Sequence, residues 1–200
     1  MSSYLDLPVD LPERLERQSQ ADTRREIRGK QPDKERLRKA AVLLPLIWRD
    51  GHWQLIYTLR SSLLHDHSGQ VSFPGGSWEA GDKSIIDTAL RESWEEIGLN
   101  PKAVRVLGKM ADLKMVTNFI VTPVIGICDW PTDLTVNPDE VDRVFSIPID
   151  WLADERNRYY RVHNYRGGEV EVLYFKPYDG ETVWGATAMM TLDFLNLLKN

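Results

Sequence analysis

The sequence from Gly75 to Leu99, GGSWEAGDKSIIDTALRESWEEIGL, joins a glycine-rich loop to an amphipathic segment. Apolar residues recur in this segment at helical spacing, which predicts a helix over residues 83–97. Gly98 suits a left-handed cap and Pro101 prevents continuation, so the helix is expected to end just before Gly98.

The predicted helix has an acidic face and an apolar face. Glu92, Glu95 and Glu96 lie within one turn on one side. The apolar side is expected to pack on a sheet through Ile86, Leu90, Trp94 and Ile97. An acidic face is usually solvated, but this one follows a glycine-rich loop whose backbone can approach a ligand closely. Converging carboxylates suit Mg²⁺ or Mn²⁺, and such a cation commonly serves a phosphate-bearing substrate.

Gly76, Asp82 and the run Arg91–Leu99 resemble the box of the Nudix hydrolases. That box is Gly, five residues, Glu, seven residues, then Arg-Glu-U-X-Glu-Glu-X-Gly-U, where U is bulky and aliphatic. This chain departs from it through Asp82 in place of Glu, a spacer one residue longer, and Ser93 in place of the first U. The resemblance implies an α/β fold, the Nudix-type α/β/α sandwich with a central mixed sheet.

The longer spacer looks like the coenzyme A pyrophosphatase subgroup, which carries a second motif upstream. Ile56–Ser61 and Gly69–Gly76 resemble that motif, with His65 where the subgroup has its second Arg. Val183–Ala188 is similar to the subgroup's C-terminal segment. The resemblance implies hydrolysis of coenzyme A or acyl-coenzyme A to adenosine 3′,5′-bisphosphate and 4′-phosphopantetheine. A Nudix hydrolase for ADP-ribose or NADH, and a non-catalytic nucleotide-binding regulator, remain alternatives.

The resemblance also implies roles for individual residues. The metal ligands would be Glu92, Glu95 and Glu96 with the carbonyl of Gly76, and Arg91 would orient a glutamate. Glu140 follows a turn, at a stage of the chain where Nudix enzymes often place an extra carboxylate as base or metal ligand. It could equally be an exposed turn residue.

Substrate contacts are expected from the upstream motif, namely from Arg60, Gly69, Gln70, Phe73, Pro74 and Gly75. Arg60 is the candidate cation for the 3′-phosphate of coenzyme A. Three aromatic residues, Phe73, Trp78 and Trp184, either stack on adenine, line the pantetheine path or belong to the core.

The remaining elements are predicted from periodicity and turn signals. Ala40–Trp48 is expected to be a buried strand, with Trp53–Thr58 as its hairpin partner through an Asp-Gly turn. Residues 60–81 are expected to form a long irregular loop. Phe119–Cys128 is a strand in which Pro123 indicates an edge position or a bulge. The other predicted elements are strands at 103–108 and 141–147, a hairpin at 159–165 and 169–175, and helices at 148–154 and 187–198.

Residues 1–38 are expected to form a charged N-terminal arm, and residues 39–200 the domain that resembles the Nudix hydrolases. The stretch Glu13–Lys30 mixes both signs of charge and is expected to be an exposed helix, with too few apolar residues for a core. The arm is either a solvated extension, or a docking element or the contact surface of a homodimer.

Composition limits the class of protein. The chain has 200 residues with 25 Lys and Arg against 30 Asp and Glu, a net charge of −5 that argues against a generic nucleic-acid binder. Cys128 is the single cysteine, which favours a reducing, cytoplasmic location. Ala40–Trp48, the longest apolar run, falls short of the roughly 20 residues that span a membrane. We therefore expect a small-molecule nucleotide substrate, with neither nucleic acid nor membrane as a partner.

Overall fold

The computed structural model describes residues 7–20, 25–26, 37–64, 67–115, 117–130, 133–165 and 168–199. Four helices and eleven strands lie in this part of the chain. In chain order they are α1 (Leu11–Gln20), β1 (Arg25–Glu26), β2 (Arg38–Arg49), β3 (His52–Arg60), β4 (Val71–Ser72), β5 (Gly75–Ser77), α2 (Ile85–Ile97), β6 (Val104–Lys109), β7 (Leu113–Lys114), β8 (Phe119–Cys128), β9 (Val141–Pro148), α3 (Ile149–Ala153), β10 (Arg158–Tyr165), β11 (Gly168–Phe175) and α4 (Gly185–Leu198).

Strand β2 is the centre of a nine-stranded mixed sheet. It pairs in parallel with β8 and antiparallel with both β3 and β5. Leu44 and Leu46 on one face and Leu43 and Ile47 on the other are completely buried. Burial on both faces explains why the strand is a continuous apolar run rather than an alternating one.

Helices cover both faces of this sheet. Helix α2 packs on the face that holds Leu43 and Ile47, while α3 and α4 pack on the face that holds Leu44. The predicted α/β/α sandwich with a central mixed sheet is therefore confirmed. Within the described ranges, no helix is long and apolar enough to cross a membrane.

Helix α1 corrects the expectation of a solvated helix over Glu13–Lys30. Leu11 and Leu15 are buried in the same core as α4, and Nη1 of Arg14 donates to the carbonyl of Leu197 at 2.9 Å. Two leucines four residues apart are enough to dock one face of a short helix, although its mean composition is polar. Most of the stretch that follows, residues 21–24 and 27–36, lies outside the described residues, so the domain boundary stays a prediction.

Strand β8 corrects the expectation for Pro123, because the strand lies inside the sheet. It pairs with β2 on one side and with β6 and β7 on the other. Pro123 sits where the pairing passes from Lys109↔Val124 in β6 to Leu113↔Val121 in β7. A missing N–H is tolerated at such a break in the ladder.

Two predicted hairpins are confirmed. Asp50 and Gly51 both have positive φ in the turn between β2 and β3, as a tight Asp-Gly hairpin turn requires. Strands β10 and β11 form a separate antiparallel ribbon. The predicted loop over residues 60–81 is less irregular than expected, because it contains the short strands β4 and β5.

Candidate active site

Helix α2 begins and ends close to where the sequence predicts. Ser84 is the N-cap, and its hydroxyl accepts a hydrogen bond from the backbone N–H of Asp87. Gly98 has φ 68° and donates its N–H to the carbonyl of Trp94 at 2.9 Å. These caps fix the carboxylates of the last two turns relative to the sheet.

The predicted apolar face of α2 packs on the sheet through Ile86, Leu90 and Ile97, but Trp94 departs from the prediction. The small residues Thr88, Ala89 and Ser93 of α2 are buried together with Ile97, whereas the side chain of Trp94 is 52% exposed. Small side chains let the helix approach β2 and β5 closely. Ser93, in place of the aliphatic residue of the box, satisfies its buried hydroxyl on the carbonyl of Ala89 at 2.7 Å.

Glu96 is the most enclosed acid of the helix, since only 4% of the residue is exposed. The N–H of Gly75 donates to its Oε2 at 3.2 Å, and Nη1 of Arg60 lies 4.0 Å from its Oε1. Burial raises the pKa of Glu96 to about 8, and the nearby carboxylates of Glu140 and Glu92 contribute to the rise. A cation bound beside Glu96 would favour the ionised form of this carboxyl.

Glu92 lies one turn before Glu96 and against the glycine loop. A Cβ at Gly76 would stand 2.5 Å from the carboxyl carbon of Glu92, so a larger residue here would displace this carboxylate. Burial raises the pKa of Glu92, while Nη1 of Arg91 at 2.9 Å partly offsets this effect.

Arg91 ties the glycine loop to the helix through Asp82. Its Nε and Nη2 donate to the two carboxylate oxygens of Asp82 at 2.9 and 3.1 Å, and Nη2 also donates to the carbonyl of Ser77. This pairing lowers the pKa of Asp82 to about 2. Asp82 is thus held by Arg91 in the structure and is not turned toward Glu96.

Arg91 also contacts Glu95, whose Oε2 accepts from Nη1 at 3.1 Å. Glu95 is the least enclosed of the three glutamates, with 49% of its side chain exposed. Within the described part of the chain, no three acidic, histidine or cysteine side chains converge as a preformed metal cage would. The donor chemistry nevertheless fits a hard divalent cation, because Glu92 and Glu96 place two enclosed carboxylates on adjacent turns.

The loop from Thr135 to Glu140 docks on the end of α2. The N–H of Thr135 donates to the carbonyl of Ile97, and the N–H of Asn137 donates to the carbonyl of Glu96. The Asn137 amide donates to Oε1 of Glu140 at 3.2 Å. The loop therefore holds Glu140 close enough to raise the pKa of Glu92 and Glu96.

Residues 61–64 and 67–70 belong to a loop that closes on Arg60. The N–H of Arg60 donates to the carbonyl of Gln70 at 3.0 Å, and the N–H of Gly69 donates to the carbonyl of Arg60 at 3.1 Å. Gly69 has φ 67°, a left-handed conformation. Nε of Arg60 is buried and lacks a hydrogen-bond partner within the described residues. His65 of the upstream motif lies outside them.

Phe73 and Pro74 follow this loop in the sequence, and both are buried. Phe73 is 2% exposed and stacks on Tyr57 with ring centroids 4.7 Å apart, so its ring belongs to the core. Pro74 is buried and accepts a hydrogen bond from Leu43 of β2. We therefore do not propose the Phe73 ring as a substrate contact, although the motif suggested one.

Sequence reasoning missed several residues that build the site. Thr88 donates its hydroxyl to Asp82 at 2.8 Å, and Asn137 holds Glu140. The spacing of Thr88 and Arg91 along one helix face was the available signal for the first contact. No local signal links Asn137 to α2, because that contact joins segments distant in sequence.

The fold and the site match known proteins. A family model described as the NUDIX domain matches residues 37–167. A protein named uncharacterized Nudix hydrolase NudL, from Pectobacterium atrosepticum, is 42% identical over 151 residues, covering 76% of this chain and 78% of that protein. The NudL of Yersinia enterocolitica is 41% identical over 151 residues, covering 74% of this chain and 75% of its own length.

A solved structure supports the fold alone. The crystal structure of a MutT/nudix family protein from Enterococcus faecalis superimposes with a TM-score of 0.54 at 16% identity. The match covers 84% of this chain and 64% of that chain.

Proposed function

Since this chain belongs to the Nudix family, we propose that its substrate is coenzyme A or an acyl-coenzyme A. As a Nudix hydrolase it acts on the phosphoric anhydride bond of a nucleoside diphosphate derivative. The products would be adenosine 3′,5′-bisphosphate and 4′-phosphopantetheine. The observation that carries the proposal is the upstream motif at Ile56–Ser61 and Gly69–Gly76, which resembles that of coenzyme A pyrophosphatases. The position of Arg60 in this motif, 4.0 Å from Glu96, supports a role for the motif in the same site.

The cofactor proposed is Mg²⁺ or Mn²⁺. Glu92 and Glu96 would hold it, with the Gly76 carbonyl and Glu95 as further oxygen donors. When bound, such a cation neutralises charge on the diphosphate and lowers the pKa of a water molecule. Arg91 would act on the cluster by fixing Glu92 and Glu95, and Glu140 would accept a proton from the attacking water.

Arg60 is proposed to bind the diphosphate rather than the 3′-phosphate expected from the motif. Its guanidinium lies beside Glu96, and its Nε is a buried donor without a partner in the described chain. A guanidinium in this position can form charge-assisted hydrogen bonds to a phosphoryl oxygen.

Metal-free protein is expected to lose stability as the pH rises from about 5 to 8. Glu96 has a pKa of about 8 in the folded state, above its ordinary 4.5, so the native state binds a proton more tightly than the unfolded state. The stabilisation from protonated Glu96 is fully present below the pKa that Glu96 has in the unfolded state. It is lost as the pH rises through the pKa of Glu96 in the folded state. Denaturant unfolding in EDTA at a series of pH values measures this slope.

The variant Glu96→Gln is the control, since its free energy of unfolding in EDTA should vary less with pH than that of wild type. Adding millimolar Mg²⁺ or Mn²⁺ at pH 8 should restore stability, by roughly 2.7 kcal/mol at a hundredfold excess over Kd. A wild-type protein that becomes more stable across this range without metal would contradict the buried, protonated glutamate. A melt unmoved by either cation would contradict the metal site.

The substrate proposal predicts that kcat/KM is higher for coenzyme A than for ADP-ribose or NADH. Arg60→Ala should lower kcat/KM roughly 10- to 150-fold, the effect of losing one charge-assisted hydrogen bond. Because the proposed contact is the diphosphate, coenzyme A and dephospho-coenzyme A should lose equally. Steady-state kinetics on these substrates measure both effects, with Arg105→Ala, an exposed arginine of β6, as the matched control.

The outcomes separate the alternatives. A loss confined to coenzyme A would move Arg60 to the 3′-phosphate. Faster hydrolysis of ADP-ribose or NADH than of coenzyme A would overturn the proposed substrate but not the Nudix hydrolase. Nucleotide binding without turnover of any compound in the panel would favour a regulator.

A further inference from the structure

The β10–β11 ribbon carries a row of stacked aromatic rings on one face. Tyr159 and Tyr174 are cross-strand partners, with ring centroids 5.6 Å apart and an interplanar angle of 16°. Tyr174 stacks in turn on Trp184, also at 5.6 Å, with an angle of 7°. All three rings are partly exposed, and Trp184 ends the row.

The row ends at the start of α4, a helix whose first turn is anchored on β4. Trp184 directly precedes α4, and the hydroxyl of Thr187 in the first turn of that helix donates to the carbonyl of Val71 at 3.0 Å. Val71 follows Gln70, whose carbonyl accepts from Arg60. Helix α4, which Trp184 precedes, is therefore anchored at the base of the loop that begins at Arg60.

We propose that Trp184 is the stacking surface for the adenine ring of the nucleotide substrate. Among the described residues, Tyr174 is its only aromatic partner, so one ring face is engaged by the stack. A flat, preordered indole selects a flat base over the flexible pantetheine chain. The inference rests on the proposed function, because it assumes a substrate that carries adenine next to the diphosphate.

Charge on the same ribbon face agrees with a phosphorylated ligand. The guanidinium of Arg161 lies over the rings of Tyr159 and Tyr174, 5.2 and 5.4 Å from their centroids. The side chain of Arg161 therefore places a positive charge beside the aromatic row. A nucleotide offers both a base for the rings and phosphate charge for this cation.

A purely structural stack is the competing explanation, because aromatic cross-strand pairs stabilise a two-stranded ribbon that is otherwise marginal. That explanation predicts a loss of thermal stability without selectivity between ligands. Inhibition by the two products of coenzyme A hydrolysis distinguishes a structural stack from an adenine-binding surface. Adenosine 3′,5′-bisphosphate carries the base, whereas 4′-phosphopantetheine does not.

The test measures kcat and KM for coenzyme A, and the inhibition constant of each product, in wild type, Trp184→Leu and Trp184→Phe. We expect Trp184→Leu to raise KM and the inhibition constant of the adenine product roughly 5- to 150-fold, the range for loss of one stacked base. The inhibition constant of 4′-phosphopantetheine and kcat should stay unchanged. Trp184→Phe should show a smaller rise with the same selectivity.

Trp48→Leu is the matched control, because Trp48 is also partly exposed and packs on one aromatic ring, that of Trp53. It should leave all four constants unchanged. Equal weakening of both products, or no weakening in Trp184→Phe and Trp184→Leu, would overturn the inference. If Trp184→Leu fails to fold, Trp184→Phe decides.

Failure of the proposed function gives a different result. Wild-type protein that does not hydrolyse coenzyme A overturns the substrate, whatever Trp184 does. Calorimetric binding of AMP to wild type and to the Trp184 variants then still tests the stacking surface. AMP affinity that is the same in all of them would overturn it.

Discussion

Replacing Glu96 with glutamine is expected to lower kcat at least about 10²-fold, which corresponds to about 2.7 kcal/mol of transition-state stabilisation. The substitution keeps the shape of the side chain but removes a carboxyl group that a bound cation would hold ionised next to Glu92 and Glu140. A proposed cation ligand would be lost, while the N–H of Gly75 could still donate to the amide oxygen. Without metal and at pH 8 or above, where the wild-type carboxyl ionises, the same change relieves repulsion, so the metal-free variant should be at least as stable as wild type.

Glu96→Gln is thus expected to lower activity without lowering the stability of the metal-free protein, which distinguishes loss of a metal ligand from general damage to the fold. Steady-state turnover with Mg²⁺ or Mn²⁺ measures the first, and denaturant unfolding in EDTA measures the second. Glu13→Gln makes the same charge change in the first turn of α1 and should affect neither. Full wild-type activity in EDTA, or in Glu96→Gln, would be incompatible with a metal bound at Glu96.

The sequence predicted the fold class because β2 and α2 carry strong local signals. The Asp-Gly turn, the continuous apolar run and the glycine cap all act within a few residues. The exposure of Trp94 and the burial of the small residues of α2 were beyond such reasoning. A helical wheel assigns the apolar face to the core, yet close approach to β2 selected the small residues Ala89 and Ser93 and left Trp94 exposed.

The candidate site was predictable where one motif holds its residues together. Glu92 and Glu96 share a helix, and the resemblance to a known box pointed to both. The contact between Arg60 and Glu96 joins residues 36 positions apart, and only the register of the sheet creates it. For Phe73 the motif was not sufficient, because a position in a motif does not reveal whether the ring faces the ligand or the core.

Gly75→Ala is expected to destabilise the fold by about 3 kcal/mol or more, through overpacking and backbone strain. Gly75 has φ 154°, and a Cβ there would stand 2.2 Å from the carbonyl oxygen of Ala41 and 2.5 Å from the Cα of Val42. Both are backbone atoms of the central strand, so neither can move aside cheaply. The midpoint and slope of denaturant unfolding measure the loss.

Gly81→Ala is the matched control in the same loop, since a Cβ at Gly81 meets no atom within 4 Å and its backbone is not left-handed. It should be neutral or stabilising by about 0.4–1 kcal/mol, because alanine restricts the unfolded chain. Equal stability of the two variants would mean that β5 is not held against β2. In that case Gly75 could not present its N–H to Glu96, and the link between the core of the sheet and the acidic cluster would be lost.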